Sequence, residues 1–169
     1  MKLITVGFST PKHSTVFSKL IRFFINKPYS HVYIKYYSDK YDRFLIYQSS
    51  GLKVNFCNIN NFYRNNIVIN EYIFKITEEQ YVKIFQDSID LVGESYGLKE
   101  VFGLGIVQLF NLFGKSINNP INEKAKWFCS ELIGRLLLTI GFITQEEFNL
   151  NNLTPKDIED IIKKRIIDG

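Results

Sequence analysis

Between positions 129 and 140 the apolar side chains obey a single spacing. Cys129, Leu132, Ile133, Leu136, Leu137 and Ile140 stand at i, i+3, i+4, i+7, i+8 and i+11, an unbroken stripe along one side of an α-helix. Gly141 followed by Phe142 supplies the C-terminal stop. A stripe this continuous must be covered, so the rest of the chain has to provide a broad apolar surface for it.

That surface is written upstream as strands. Leu3–Phe8, His31–Tyr37, Arg43–Gln48, Leu52–Phe56 and Ile67–Ile76 are rich in β-branched and aromatic residues. Ser38-Asp39-Lys40 and Ser49-Ser50-Gly51 read as turns between them. Thr15–Asn26 reads as a helix capped by Ser14 and stopped by Pro28, with Val16, Phe17, Leu20, Ile21 and Phe24 on one face. Thr77 with Gln80 is a capping-box pattern, and Tyr81, Ile84, Phe85 and Ile89 form the stripe of the helix that follows, ending near Gly93. Thr154-Pro155 opens a last helix with Ile158, Ile161 and Ile162 turned inward. Val101–Phe113 is apolar but broken by Gly103 and Gly105, and Asn118–Lys126 is polar and loop-like. A helix, then strands, then helices is an α+β order, expected as a small antiparallel sheet packed against helices. With 169 residues, no repeat and no break in composition, one domain over 1–169 is expected.

Several function classes drop out. The net charge of +4 is spread along the chain with no dense basic tract, so nucleic acid is not an expected partner. Cys57 and Cys129 are too few for a disulfide framework, and no Cys/His cluster has zinc spacing; neither metal nor organic cofactor is expected. Gly103-Leu104-Gly105 lacks the lysine and spacing of a phosphate loop. No run approaches the ~20 apolar residues of a spanning helix, and the opening residues do not read as a signal peptide, so a cytoplasmic location is expected. The 101–113 segment reads first as core and second as a contact for a membrane surface or an acyl chain.

The residues able to do chemistry are few. Cys129 opens a helix, where unpaired backbone N–H groups and the helix dipole favour thiolate, so its pKa is expected to fall. The same donors suit an oxyanion forming on an attacked carbonyl. Read structurally, Cys129 is simply a small apolar residue beginning a buried helix. His31 starts a strand on which Val32, Ile34 and Tyr36 face one side and His31, Tyr33 and Lys35 the other. His13, in a loop ahead of a helix, is the weaker base. If the next strand pairs antiparallel, Gln48 comes near His31, where its carbonyl fixes the ring tautomer without the charge a carboxylate would bring. Ser49 and Ser50 are neighbouring alternatives for that third role. Cys57 has no adjacent base and reads as structural.

Ser30-His31-Val32 opening a strand, a second strand ending in a polar residue, and Phe128-Cys129-Ser130-Glu131-Leu132 opening an apolar helix together resemble the circularly permuted papain-like amidases. These are the YiiX-like branch of the NlpC-type cysteine hydrolases, related to lecithin–retinol acyltransferase. Phe8-Ser9, Tyr96-Gly97 and Thr154-Pro155-Lys156-Asp157 add to the likeness, which spans about residues 4 to 160. The resemblance implies a permuted papain-like fold with Cys129 as nucleophile and His31 as general base. Gln48 stands where many relatives carry Glu or another polar residue, and Ser30, Ser130 and Tyr96 are implied cleft neighbours. It further implies attack on an amide, ester or thioester carbonyl of a peptide, a peptidoglycan stem or a lipid. A catalytically inactive peptide- or lipid-binding module of the same fold is the alternative.

Overall fold

Strand-forming residues at alternating positions build five long strands: β1 (Lys2–Pro11), β2 (His31–Ser38), β3 (Arg43–Ser50), β4 (Lys53–Asn58) and β5 (Asn66–Ile76). They form an antiparallel sheet in the order β5-β1-β2-β3-β4, extended by two-residue strands β6 (Ser95–Tyr96) and β7 (Lys126–Trp127), which are parallel to each other. The helices are α1 (Val16–Ile25), α2 (Ile59–Asn65), α3 (Glu78–Asp90), α4 (Cys129–Thr139) and α5 (Pro155–Asp168), with a short 3-10 turn at Asp39–Tyr41. This computed structural model describes residues 1–50, 53–96, 126–127, 129–144, 149–150 and 153–168. The expected apolar segment 101–113 lies outside the described residues, as does the expected loop 118–126 except for Lys126, which enters β7.

The sheet divides the core in two. Ile4, Val6, Phe8, Val32, Ile34, Tyr36 and Tyr47 join the large cluster that holds the stripes of α4 and α5. On the opposite face Tyr33 and Ile46 pack against Phe62 of α2. The alternation expected for β2 is therefore realised, with successive residues entering different cores. On this second face Gly7 leaves room for the Tyr33 ring, since a Cβ at residue 7 would lie 2.2 Å from that ring.

Local chemistry fixes the helix ends. α3 carries the full capping box, Thr77 Oγ1 accepting from the Gln80 N–H while Gln80 Oε1 accepts from the Thr77 N–H. The same glutamine donates through Nε2 to the Ile140 carbonyl at 2.7 Å, so one side chain closes the start of α3 and the end of α4. Gly141 adopts φ +70°, and the Gly141 and Phe142 N–H groups return to Leu138 and Leu137, a Schellman stop. Asp157 and Thr154 exchange hydrogen bonds across the first turn of α5.

Four local expectations need correcting. Thr15, not Ser14, caps α1, because its hydroxyl is the one in reach of the Ser18 N–H, while Ser14 accepts from Arg22. α1 buries Ser18 and Ile25 and leaves Val16 and Leu20 exposed. Ile89 is exposed on α3, where Ser88 is buried instead and bonds Tyr36 of β2 at 2.8 Å. α2 was not expected: its Asn-rich sequence has low helix propensity, and Phe62 is its one buried residue.

Candidate functional site

β2 begins at His31, and it does so without a full partner on one side. Its ladder with β3 runs from Ser38↔Arg43 only to Ile34↔Tyr47, three residues short of His31. Val32 lies in the stretch of β2 beyond that ladder. Its N–H, with those of Ser130 and of Cys129 itself, bears on the Cys129 sulfur and favours the thiolate. The helix that covers one face of the sheet thus brings its first side chain into the gap where β2 and β3 part.

The imidazole of His31 lies on the other face of the sheet. His31 lies with Phe62, at a ring separation of 6.5 Å, opposite the side that α4 covers. Its Nε2 lies 2.9 Å from Gln48 Oε1. An amide oxygen only accepts, so Nε2 carries the proton and Nδ1 is left as the basic nitrogen. Gln48 is held in turn, its Nε2 donating to the Cys57 sulfur at 3.4 Å. Pairing of Gln48 with Asn55 and of Ile46 with Cys57 puts these four residues on one face, which the period-2 pattern of the two strands already contains.

Burial sets the charge state. Removal from water pushes the His31 pKa down to about 4, against which the bond to Gln48 works weakly. The Cys129 thiol moves the opposite way, pushed up to about 11 by burial that outweighs its three backbone donors. The expected fall of this pKa is therefore not found: the helix terminus does supply N–H groups, but a sulfur in a residue only 4% exposed loses more hydration than they restore. At neutral pH the pair is thiol plus imidazole rather than thiolate plus imidazolium.

The other named residues divide. Ser30 is buried beside His31, its N–H bonded to the Ser9 carbonyl. Ser9 pairs with His31 across the strands and its buried hydroxyl has no hydrogen-bond partner. The Ser130 hydroxyl is buried and donates to the Leu153 carbonyl at 2.5 Å, tying the start of α4 to the segment leading into α5. The Tyr96 backbone pairs with Trp127, two residues ahead of Cys129. His13 is exposed in its loop. Cys57 does more than fill space, since it orients Gln48. Among the described residues no three His, Cys, Asp or Glu side chains converge as a metal site would require.

No protein-family model matches the chain, and no curated protein does. Among solved structures the chain is similar to the metalloprotein yiiX from Escherichia coli O157:H7, with TM-score 0.56 and 15% identity over 97% of this chain and 81% of that one. At that identity the likeness is one of fold: this chain has a YiiX-like α+β fold.

Proposed function

We propose that the protein is a thiol hydrolase or acyltransferase of permuted papain-like type, with Cys129 as nucleophile and His31 as base. The observation that carries this reading lies at the start of β2, where the Val32 N–H bears on the Cys129 sulfur and the neighbouring residue in sequence is His31, whose tautomer Gln48 sets. In the reaction Nδ1 of His31 takes the thiol proton as sulfur attacks a carbonyl carbon. The carbonyl oxygen becomes an oxyanion, stabilised by backbone N–H groups at the start of α4. Collapse expels the amine, alcohol or thiol, which takes its proton from the imidazolium. Water or another acceptor then releases the acyl group from sulfur. The substrate class is an amide, ester or thioester of a peptide, a peptidoglycan stem or a lipid.

The YiiX neighbour is described as a metalloprotein. Here the donor set does not fit a metal: His31 Nε2 is committed to an amide oxygen, and no third ligand joins it among the described residues.

A second reading has its own observation. Cys129 is 4% exposed and its thiol is held neutral, which suits a binding module that retains the fold without the chemistry. Hydrolysis of a panel of amide, ester and thioester substrates separates the two. The enzyme reading expects turnover that is lost in Cys129→Ser and in His31→Ala. Absence of turnover across the panel, or turnover equal in the two variants and the parent, selects the module.

A further inference from the structure

Helix α1 packs Ile21 and Ile25 on the core and carries a second apolar stripe outward. Val16, Leu20 and Phe23 fall at i, i+4 and i+7 on one side and are 75%, 39% and 78% exposed. Ser18, on the opposite side, is 6% exposed, its hydroxyl turned back to the Thr15 carbonyl. A helix covering a core normally turns its serine out and its phenylalanine in. Phe23 also packs edge-on against Phe24, with ring centres 5.7 Å apart, so the exposed stripe includes a paired aromatic ridge.

The charged residues on and flanking this helix are basic: Lys12, Lys19, Arg22 and Lys27, with Asp39 the first acidic residue of the chain. Lys12 and Lys19 are exposed at the helix. Just beyond its C-terminus Lys27 and Lys163 share the carboxylate of Glu159, at 2.8 and 3.3 Å.

We propose that α1 is a peripheral membrane-binding helix, seating Val16, Leu20 and Phe23 among the acyl chains of an anionic bilayer while Lys12 and Lys19 meet its headgroups. A bilayer is favoured over an acidic protein because the stripe is a convex ridge on one helix. A fluid apolar layer covers such a ridge without a matching groove, and its anionic headgroups answer cations of one sign. The inference stands apart from the thiol chemistry and is read without it.

Co-sedimentation of the full chain tests it, using vesicles of phosphatidylcholine alone and of phosphatidylcholine mixed with phosphatidylserine. The chain is expected to sediment with the mixed vesicles at low salt and to be released as salt rises. Phe23→Glu is expected to lower binding by roughly tenfold or more, and Lys19→Glu to weaken it on the mixed vesicles alone. Thermal melting should match the parent for both, since these side chains are exposed. Failure of the parent to bind mixed vesicles, or binding unchanged in Phe23→Glu, overturns the proposal. So does self-association in sedimentation velocity that Phe23→Glu abolishes while vesicle binding is absent, which would assign the ridge to a second copy of the chain.

Discussion

His31 is the residue whose state decides most. Its folded pKa of about 4 lies below the ordinary 6.5, so the unfolded chain takes up the proton first. Its contribution to stability is therefore complete above pH 6.5, declines as the pH falls from 6.5 towards 4, and levels off below. NMR titration of the ring should show this low value. Gln48→Glu should raise it by about 1–3 units, because a carboxylate at the same position favours imidazolium. An unchanged value in Gln48→Glu would mean that the 2.9 Å contact does not govern the ring. Under the proposed thiol chemistry the same value sets the pH profile: kcat/KM should fall on the acid side only near pH 4, where His31 protonates, rather than near 6.5.

Two features were legible in the sequence: the His31–Gln48 contact, from strand pairing, and the place of Cys129 at the start of a helix. Their charge states were not. Burial is a property of what surrounds a residue, so neither the raised thiol nor the lowered imidazole follows from local spacing. The role of Cys57 was hidden for a related reason: it becomes visible only once β3 and β4 are in register.

Among the elements, α5 is anchored by one buried group. Glu159, whose side chain is 1% exposed, accepts from Lys27 at 2.8 Å, Tyr29 at 2.7 Å, Asn70 at 2.7 Å and Tyr72 at 2.9 Å. Burial pushes its pKa upward, but these donors together prevail and hold it at about 2. Glu159→Gln leaves buried donors facing a neutral amide and should cost about 3 kcal/mol in denaturant unfolding; a loss within experimental error would show that the cluster contributes nothing net. The linkage has the same sign as for His31, but the window is lower: this contribution is present above pH 4.5 and is lost as the pH falls from there towards 2. Because Tyr29 stands two residues before His31, the cluster also fixes the turn that feeds β2.

Gly7 is the corresponding point in β1. Gly7→Ala forces a methyl into the Tyr33 ring and should destabilise by about 1–3 kcal/mol by the same measurement. At this scale the elements with strong periodicity or full caps were readable: the α4 stripe, the Thr77–Gln80 box and the Thr154-Pro155 start. α2 was not, because seven residues with one buried anchor give no period to detect. The orientation of α1 was legible only in part, since Ile21 of the expected face packs on the core while Val16 and Leu20 stay exposed.

Across the whole molecule the order of elements has a consequence for chemistry. Strands β1 to β5 are completed before α4 arrives, so the imidazole and its amide partner are placed by one part of the chain and the sulfur by another. The α+β class and the antiparallel order follow from the strand-then-helix pattern. The gap between β2 and β3 does not, because nothing in the residues themselves marks where a ladder stops. Among the described residues no helix is long and apolar enough to cross a membrane, so the lipid contact proposed for α1 is one of surface rather than span.

The central claim is that Cys129 and His31 act as one unit on a carbonyl. Intact-mass analysis after brief exposure to an activated thioester at pH 7 tests it most directly. An acyl adduct should map to Cys129 in the parent, be absent in Cys129→Ser, and fall at least about a hundredfold in rate in His31→Ala, the usual contribution of a positioned base. No adduct in the parent, or one that forms as fast without His31, would contradict it.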